Sequence, residues 1–311
     1  MPARRRQRVL VLGTGAMGCL FAASLGRCGA CDVTVSGSWH RGLSTLDEDG
    51  IAVEDRGSVW KTVVRTRRLD RLDPAYDLVL VLTTSRRTAA VAAIAADTVA
   101  ADGLILTLQN GLGNREVLAA SAGEMRVAAG ATAVGATLLG PGRVRIGGRG
   151  PTILGGPGGG RDRLERVREI LAESGFAVEV TADLHAALWT KLAVNCAINP
   201  LSAIARVPNG RLVAVDAWRL ELEEAAREVG RVAAAKGIHI GLDLARHAAD
   251  VARATARNRS SMLQDLDAGH PTEIDALCGA VVAEARRVRV PVPVNARLAY
   301  RVRALERIAH P

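Results

Sequence analysis

The sequence predicts an α/β protein: an N-terminal Rossmann-type dinucleotide-binding domain on a mostly parallel sheet, followed by an all-helical C-terminal domain. Three observations carry this. An apolar run, Val9 to Leu12, leads into GTGAMG and then into CLFAASLGRCG, which has helical periodicity and a glycine stop. Strand-like and helix-like segments then alternate through CDVTVSG, DLVLVLTT, TAAVAAIAADTVA and GLILTLQNG. Beyond about residue 183 the strand signal fades, and segments rich in Ala, Leu, Arg and Glu take over.

Each element has its own justification. Short all-apolar runs such as VLVL are what a central parallel strand requires, because both of its faces are covered. Strands alternating with helices build an open sheet with helices on both sides. Gly13-x-Gly15-x-x-Gly18 sits between the first strand and the first helix. In that setting the first glycine permits the tight turn, the second lets a pyrophosphate approach the backbone, and the third allows close helix–sheet packing. Free amides at the helix start then face the phosphates. This assigns Gly13, Thr14, Gly15, Ala16, Met17 and Gly18 to cofactor binding.

The end of the second strand chooses the dinucleotide. An acid about 20 residues after the glycines would bond the ribose hydroxyls of NAD. The region reads VTVSGSWHRG, and its only acid, Asp32, precedes the strand. Ser36, Ser38, His40 and Arg41 suit a 2′-phosphate instead, so NADP is the expected cofactor, with Ser38 and Arg41 among its contacts. Arg41 reads equally as a solvated loop residue.

Further along, Gly140-Pro141-Gly142 between two β-like runs predicts a hairpin. GGPGGGR, residues 155–161, lacks the phosphate-loop pattern and reads as a flexible connection. The domain boundary is placed at 182/183, giving residues 1–182 and 183–311, with helices expected over 184–199, 212–237, 243–267 and 272–289.

Composition excludes several function classes. The net charge of +9 and pI near 10.1 invite a nucleic-acid reading. However, the basic residues are nearly all Arg, scattered apart from RRRQR at the N-terminus, and aromatics are only 3%. Without stacking platforms, the charge reads as solvated Arg, and no nucleic-acid partner is expected. A positive field still draws anionic ligands. No run approaches the roughly 18 apolar residues of a membrane span, and no export signal is read. The five cysteines are sparse and odd in number, which fits reduced thiols in a cytoplasm. Cys28-Gly-Ala-Cys31 has no second ligand pair, so no metal is expected. An apolar helical surface serves equally as core or as the face of a homodimer.

In WTKLAVNCAINPLSA, residues 189–203, Lys191, Asn195 and Asn199 interrupt an apolar helix at i, i+4 and i+8. They form one polar stripe, serving either a ligand or a neighbouring helix. A second polar cluster, in NRSSMLQDLDAGHPTEID, holds Asn258, Ser260, Ser261, Asp265, Glu273 and Asp275. Either serine there suits a helix N-cap.

GTGAMG, LQNGLGN, GPGRV, WTKLAVNCAINPLSAI, PNGRL and NRSSMLQDLDAGHPTEID, in this order, resemble the ketopantoate reductase (2-dehydropantoate 2-reductase) family from residue 9 to about 300. The resemblance implies reduction of the 2-ketone of 2-dehydropantoate by NADPH, on the route to pantothenate and coenzyme A. It makes Lys191 the general acid, a role that suits an amine and not a guanidinium. Glu273 becomes the acid that orients the lysine or bonds a substrate hydroxyl. Asn195 and Asn199 hold substrate oxygens, Ser261 its carboxylate, and Asn258 is a further lining residue. Asn110 lies near nicotinamide and ketone. Asn209 reaches the substrate or makes a turn. The family carries a Lys after DLVLVL and a Gln three residues later; here these are Thr84 and Arg87, with Thr84 kept among the cofactor contacts. The basic residue that many members place after the second strand is replaced at Ser38. Two other readings stay open: a related reductase of a different branched 2-oxo acid, and a non-catalytic NADP-binding sensor.

Overall fold

The computed structural model describes residues 5–156 and 161–309. Arg4, in the basic N-terminal run, and residues 157–160 of the glycine-rich connection lie outside the described residues. The described chain forms two compact units. One holds the residues up to 109 together with 113–184; the other holds 110–112 together with the residues from 185 onward.

The first unit comprises β1 (Gln7–Leu12), α1 (Ala16–Arg27), β2 (Cys31–Ser36), α2 (His40–Asp49), β3 (Ile51–Asp55), β4 (Ser58–Thr62), β5 (Arg65–Thr66), β6 (Tyr76–Val81), α3 (Thr88–Thr98), β7 (Val99–Thr107) and α4 (Asn114–Ala122). It continues with β8 (Val127–Thr132), β9 (Gly135–Gly140), β10 (Arg143–Gly148), β11 (Thr152–Gly155), α5 (Arg161–Glu173) and β12 (Val178–Val180). Eight strands form one sheet in the order β12-β11-β8-β7-β6-β1-β2-β5. All its pairings are parallel except β11 with β8.

The apolar runs are explained by coverage on both faces. Val9 and Val11 join Leu20, Phe21 and Leu171 of α1 and α5 on one side of the sheet. Leu10 and Leu12 join Val91, Ala95 and Leu118 of α3 and α4 on the other. Alternate residues therefore point to different cores, and neither face tolerates a charge. The Gly140-Pro141-Gly142 turn does join an antiparallel hairpin, β9 with β10. Together with β3 and β4 it makes a separate four-stranded sheet, β4-β3-β10-β9, whose Ile51, Val53 and Val144 share the core of α1. Asp32 lies inside β2, not before it, and pairs with Arg6.

The second unit is helical: α6 (Leu184–Ala205), α7 (Asn209–Ala214), α8 (Asp216–Ala235), α9 (Leu244–Ala254), α10 (Ser261–Asp267), a π turn (Asp275–Gly279), α11 (Ala280–Val288) and α12 (Pro293–Ala309). Several features differ from the sequence reading, among them the helix expected over 212–237, which is broken at Val215 between α7 and α8. The helix expected to stop at 199 runs through Pro200 to Ala205. Proline leaves the Cys196 carbonyl without its helical amide, and the Cys278 thiol donates to that oxygen from 3.8 Å. The expected 243–267 helix breaks over 255–260, and α12 was not foreseen. Its first turn is capped from α8: the buried Glu228 carboxylate accepts from the Val294 and Asn295 amides, both at 2.8 Å. No described helix is long and apolar enough to cross a membrane.

Candidate active site

In the first unit the chain order reverses at β1, which has β2 on one side and β6 on the other. Open parallel sheets bind ligands at such a point, beyond the carboxyl ends of the strands. The loops there are Gly13–Gly18 and the segment after Val81. Gly13 has φ +138°, and a Cβ on it would meet the Leu82 carbonyl oxygen at 2.6 Å. A Cβ on Gly18 would strike the Gly13 carbonyl oxygen at 1.9 Å, so α1 presses directly on the loop. Gly15 is the opposite case: a Cβ there meets nothing within 4 Å. Gly15 also begins α1 as an exposed residue with no side-chain cap, and no acid lies in the first turn. Open space above uncapped helix amides fits a dinucleotide pyrophosphate. Thr14 is buried beside these glycines, while Ala16 and Met17 are partly exposed.

At the end of β2, Ser38, His40 and Arg41 are exposed, and the first turn of α2 contains no acid. Ser36 is a correction: it is fully buried, and its carbonyl holds the Gly13 amide at 2.8 Å. It supports the glycine loop and is not open to a ribose phosphate. Thr84 is exposed and opens a 3₁₀ turn, Ser85–Arg87, in which Arg86 and Arg87 are exposed as well.

In the second unit, α6 carries Lys191, Asn195 and Asn199. Lys191 is partly buried, and that desolvation pushes its ammonium down to about 8, with the Glu273 carboxylate acting in the opposite direction. Glu273 precedes the π turn and accepts a 3.0 Å hydrogen bond from Asn110 Nδ2. Asn110 is brought there by Gly111, whose φ is +82° and whose Cβ would lie 2.3 Å from the Ala276 carbonyl oxygen. Only glycine allows both that conformation and that approach. Asn195 Nδ2 is buried without a hydrogen-bond partner. Asn199 is nearly buried, and its carbonyl receives the hydroxyls of Ser202 and Ser260 at 3.4 and 3.5 Å.

The two serines separate. Ser260 is the N-cap of α10, accepting from the Leu263 amide at 3.1 Å and bonding Ser202 at 2.5 Å. Ser261, first in that helix, is exposed, as is Asn258. Asn209 is buried and donates to Thr255, and its amide bonds the Asn258 carbonyl at 2.9 Å. It braces the 255–260 loop, and its Oδ1 is buried without a hydrogen-bond partner.

Sequence reasoning missed Gln109, a buried residue whose side chain ties together the segments after β6 and β7. Nothing in LQN marks it, because its partners are distant in sequence. Among the described residues no cluster of three metal-binding side chains exists. In the C-x-x-C pair, burial pushes the Cys31 thiol up to about 12, far from a reactive thiolate.

Residues 9–159 match the model of the family described as Ketopantoate reductase PanE/ApbA, and residues 183–306 match that of its C-terminal region, Ketopantoate reductase PanE/ApbA C terminal. The chain belongs to the ketopantoate reductase family. A 2-dehydropantoate 2-reductase of Halobacterium salinarum is 38% identical, covering 96% of this chain and 99% of that one. The crystal structure of a PanE/ApbA family ketopantoate reductase from Ralstonia eutropha is 31% identical with a TM-score of 0.88, covering 98% of this chain and all of the other. The ternary structure of D-mandelate dehydrogenase with NADH and anilino(oxo)acetate shares the fold at a TM-score of 0.92 and 22% identity, covering 98% and 100%. As a member of this ketopantoate reductase family, the chain is an oxidoreductase.

Proposed function

We propose that this chain reduces the 2-ketone of 2-dehydropantoate to pantoate with NADPH, residues 1–182 serving the dinucleotide and 183–311 the oxo acid. The observation that carries this reading is Lys191, a partly buried lysine whose ammonium is pushed down to about 8 beside Glu273. When bound, the dinucleotide supplies hydride to the ketone carbon. Lys191 Nζ donates the proton to the ketone oxygen, so the oxygen is spared a full negative charge. Glu273, steadied by Asn110, keeps the ammonium oriented. The free Nδ2 of Asn195 and the side chain of Asn199 take substrate oxygens, while Ser261 and Asn258, both exposed, take the carboxylate end. The glycine loop holds the pyrophosphate. Ser38 and Arg41 take the 2′-phosphate, an assignment supported by the absence of an acid in the first turn of α2. The same reading makes it a cytoplasmic enzyme, in keeping with its five free thiols.

Thr84 supports a second reading within the family. An exposed hydroxyl in place of an ammonium alters how the site meets an anionic substrate, which favours another branched 2-oxo acid. Purified protein assayed with NADPH and with NADH against a panel of 2-oxo acids separates the readings by kcat/KM. The proposal expects the highest value for NADPH with 2-dehydropantoate, and loss of most of the rate in Lys191→Ala. A higher value for another branched acid transfers the assignment to that substrate. NADPH binding without turnover on any of them leaves a sensor.

A further inference from the structure

Gln109 closes β7 at the carboxyl end of the sheet, one residue before Asn110. It is buried, and every polar atom of its side chain is used. Its Oε1 accepts from the Thr107 hydroxyl at 2.8 Å. Its Nε2 donates to the Thr83 carbonyl and to Thr88 Oγ1, both at 2.9 Å, with Thr83 Oγ1 at 3.2 Å. A carbonyl only accepts, so the Thr83 contact fixes which end of the amide faces that way.

From Thr88 the chain of bonds continues. Its hydroxyl meets the Ser85 carbonyl and Asn114 Oδ1, both at 2.8 Å, and Asn114 Nδ2 donates to Ser85 Oγ at 3.3 Å. Thr83 and Ser85, the two neighbours of Thr84, are therefore both tied to the network rooted in Gln109. The Arg87 amide closes the turn on the Thr84 carbonyl at 2.8 Å. Thr84 itself stays exposed, on a backbone pinned from both sides.

We propose that Gln109 is a positioning residue, a buried amide that holds the Thr83–Thr88 turn in the conformation that receives the dinucleotide. The turn lies beyond the carboxyl end of β6, next to the glycine loop after β1, at the reversal of strand order where such sheets bind ligands. A buried amide with all its bonds made rigidifies what it touches. An apolar replacement leaves the Thr83 carbonyl and two hydroxyls without a donor, and the turn relaxes. The inference rests on the dinucleotide reading above, not on the identity of the oxo acid.

Two variants test it, read by NADPH fluorescence titration, steady-state kinetics and amide hydrogen exchange. Gln109→Met keeps length and removes all four contacts. The expected result is an NADPH Kd raised about tenfold, with faster exchange confined to 83–88 and unchanged exchange in α6–α12. The KM for NADPH should rise more than kcat falls. Gln109→Glu retains an acceptor but has a donor only when protonated, so its affinity should be weak at high pH and recover as pH falls, a slope absent from the wild type. Wild-type affinity in Gln109→Met, exchange that quickens across the whole chain, or no pH recovery in Gln109→Glu overturns the proposal. If Gln109→Met does not fold, Thr88→Val leaves the Gln109–Thr83 bonds in place, removes the hydroxyl that joins Gln109 to Ser85 and Asn114, and must give the same localised exchange. Wild-type protein that binds NADPH but reduces no 2-oxo acid defeats the proposed function and leaves this test readable. Wild-type protein that does not bind NADPH defeats both.

Discussion

At the scale of single residues, the informative quantity is the proton affinity of Lys191. Desolvation lowers it to about 8, and Glu273 opposes that shift. If Lys191 is the proposed general acid it must be protonated to act, so kcat/KM for ketone reduction should be level below about pH 8 and fall above it. In the alcohol-oxidising direction the neutral amine is needed, and the dependence inverts. Glu273→Gln removes the charge that favours the ammonium, so the alkaline limb should move to lower pH. A limb that stays in place, followed by initial rates from pH 6 to 10, would refute the coupling. Lys191→Arg should lose about 10²–10⁴ in rate, because guanidinium does not release its proton in this range. Asn195 is a different case. Its buried Nδ2 has no partner in the free protein, which costs stability there. Asn195→Leu should leave the melting temperature unchanged or raise it, while kcat/KM for the oxo acid falls about tenfold or more. Such opposed effects mark a group kept for a ligand and not for the fold.

Elements show which positions the sequence disclosed. The central strands were legible because burial on both faces enforces apolar runs, and the glycine loop because its spacing answers to backbone contact. The end of α6 was not. Proline is a helix stop by local rule, and here a thiol from the π turn offsets the bond it removes. The start of α12 was missed for a related reason, since its cap lies far away in sequence, on α8. Glu228 supplies two acceptors to the second and third residues of that helix, with Pro293 ahead of them having no amide to satisfy. Asn295 Nδ2 adds a third bond to the same carboxylate, at 2.8 Å. Glu228→Ala should destabilise the chain by about 3 kcal/mol, since it strands buried donors. Glu228→Gln, which keeps an acceptor, should cost less. Urea unfolding would read both, and equal midpoints for Glu228→Ala and wild type would dismiss the cap. The site follows the same pattern. The stripe Lys191, Asn195, Asn199 is local and visible in spacing. The Asn110–Glu273 bond spans 163 residues and is not. Spacing alone could not separate Ser260 from Ser261 either, because the choice of cap depends on Ser202 opposite.

For the whole molecule, the net charge of +9 finds its use in the anions the proposed reaction handles. Many of the arginines are paired locally on the surface, as in Arg145 with Glu54, Arg227 with Glu223 and Arg297 with Glu221. Such exposed pairs contribute little to stability, about 0–1 kcal/mol each, and salt should barely change the unfolding midpoint through them. The uncompensated remainder acts at longer range. NADPH and a 2-oxo acid are both anionic, so a positive field raises their encounter rate, and screening should weaken it. Raising the salt from about 0.05 M to 0.5 M shortens the Debye length from more than 10 Å to less than 8 Å. kcat/KM for NADPH should then fall several-fold, while kcat, measured at saturation, stays nearly constant. Arg41 separates the general field from a local contact. If it takes the 2′-phosphate, Arg41→Ala should reduce kcat/KM for NADPH well beyond the effect of one lost surface charge and leave NADH almost untouched. Equal losses for both dinucleotides would make Arg41 one more solvated arginine and leave NADPH selection to other residues.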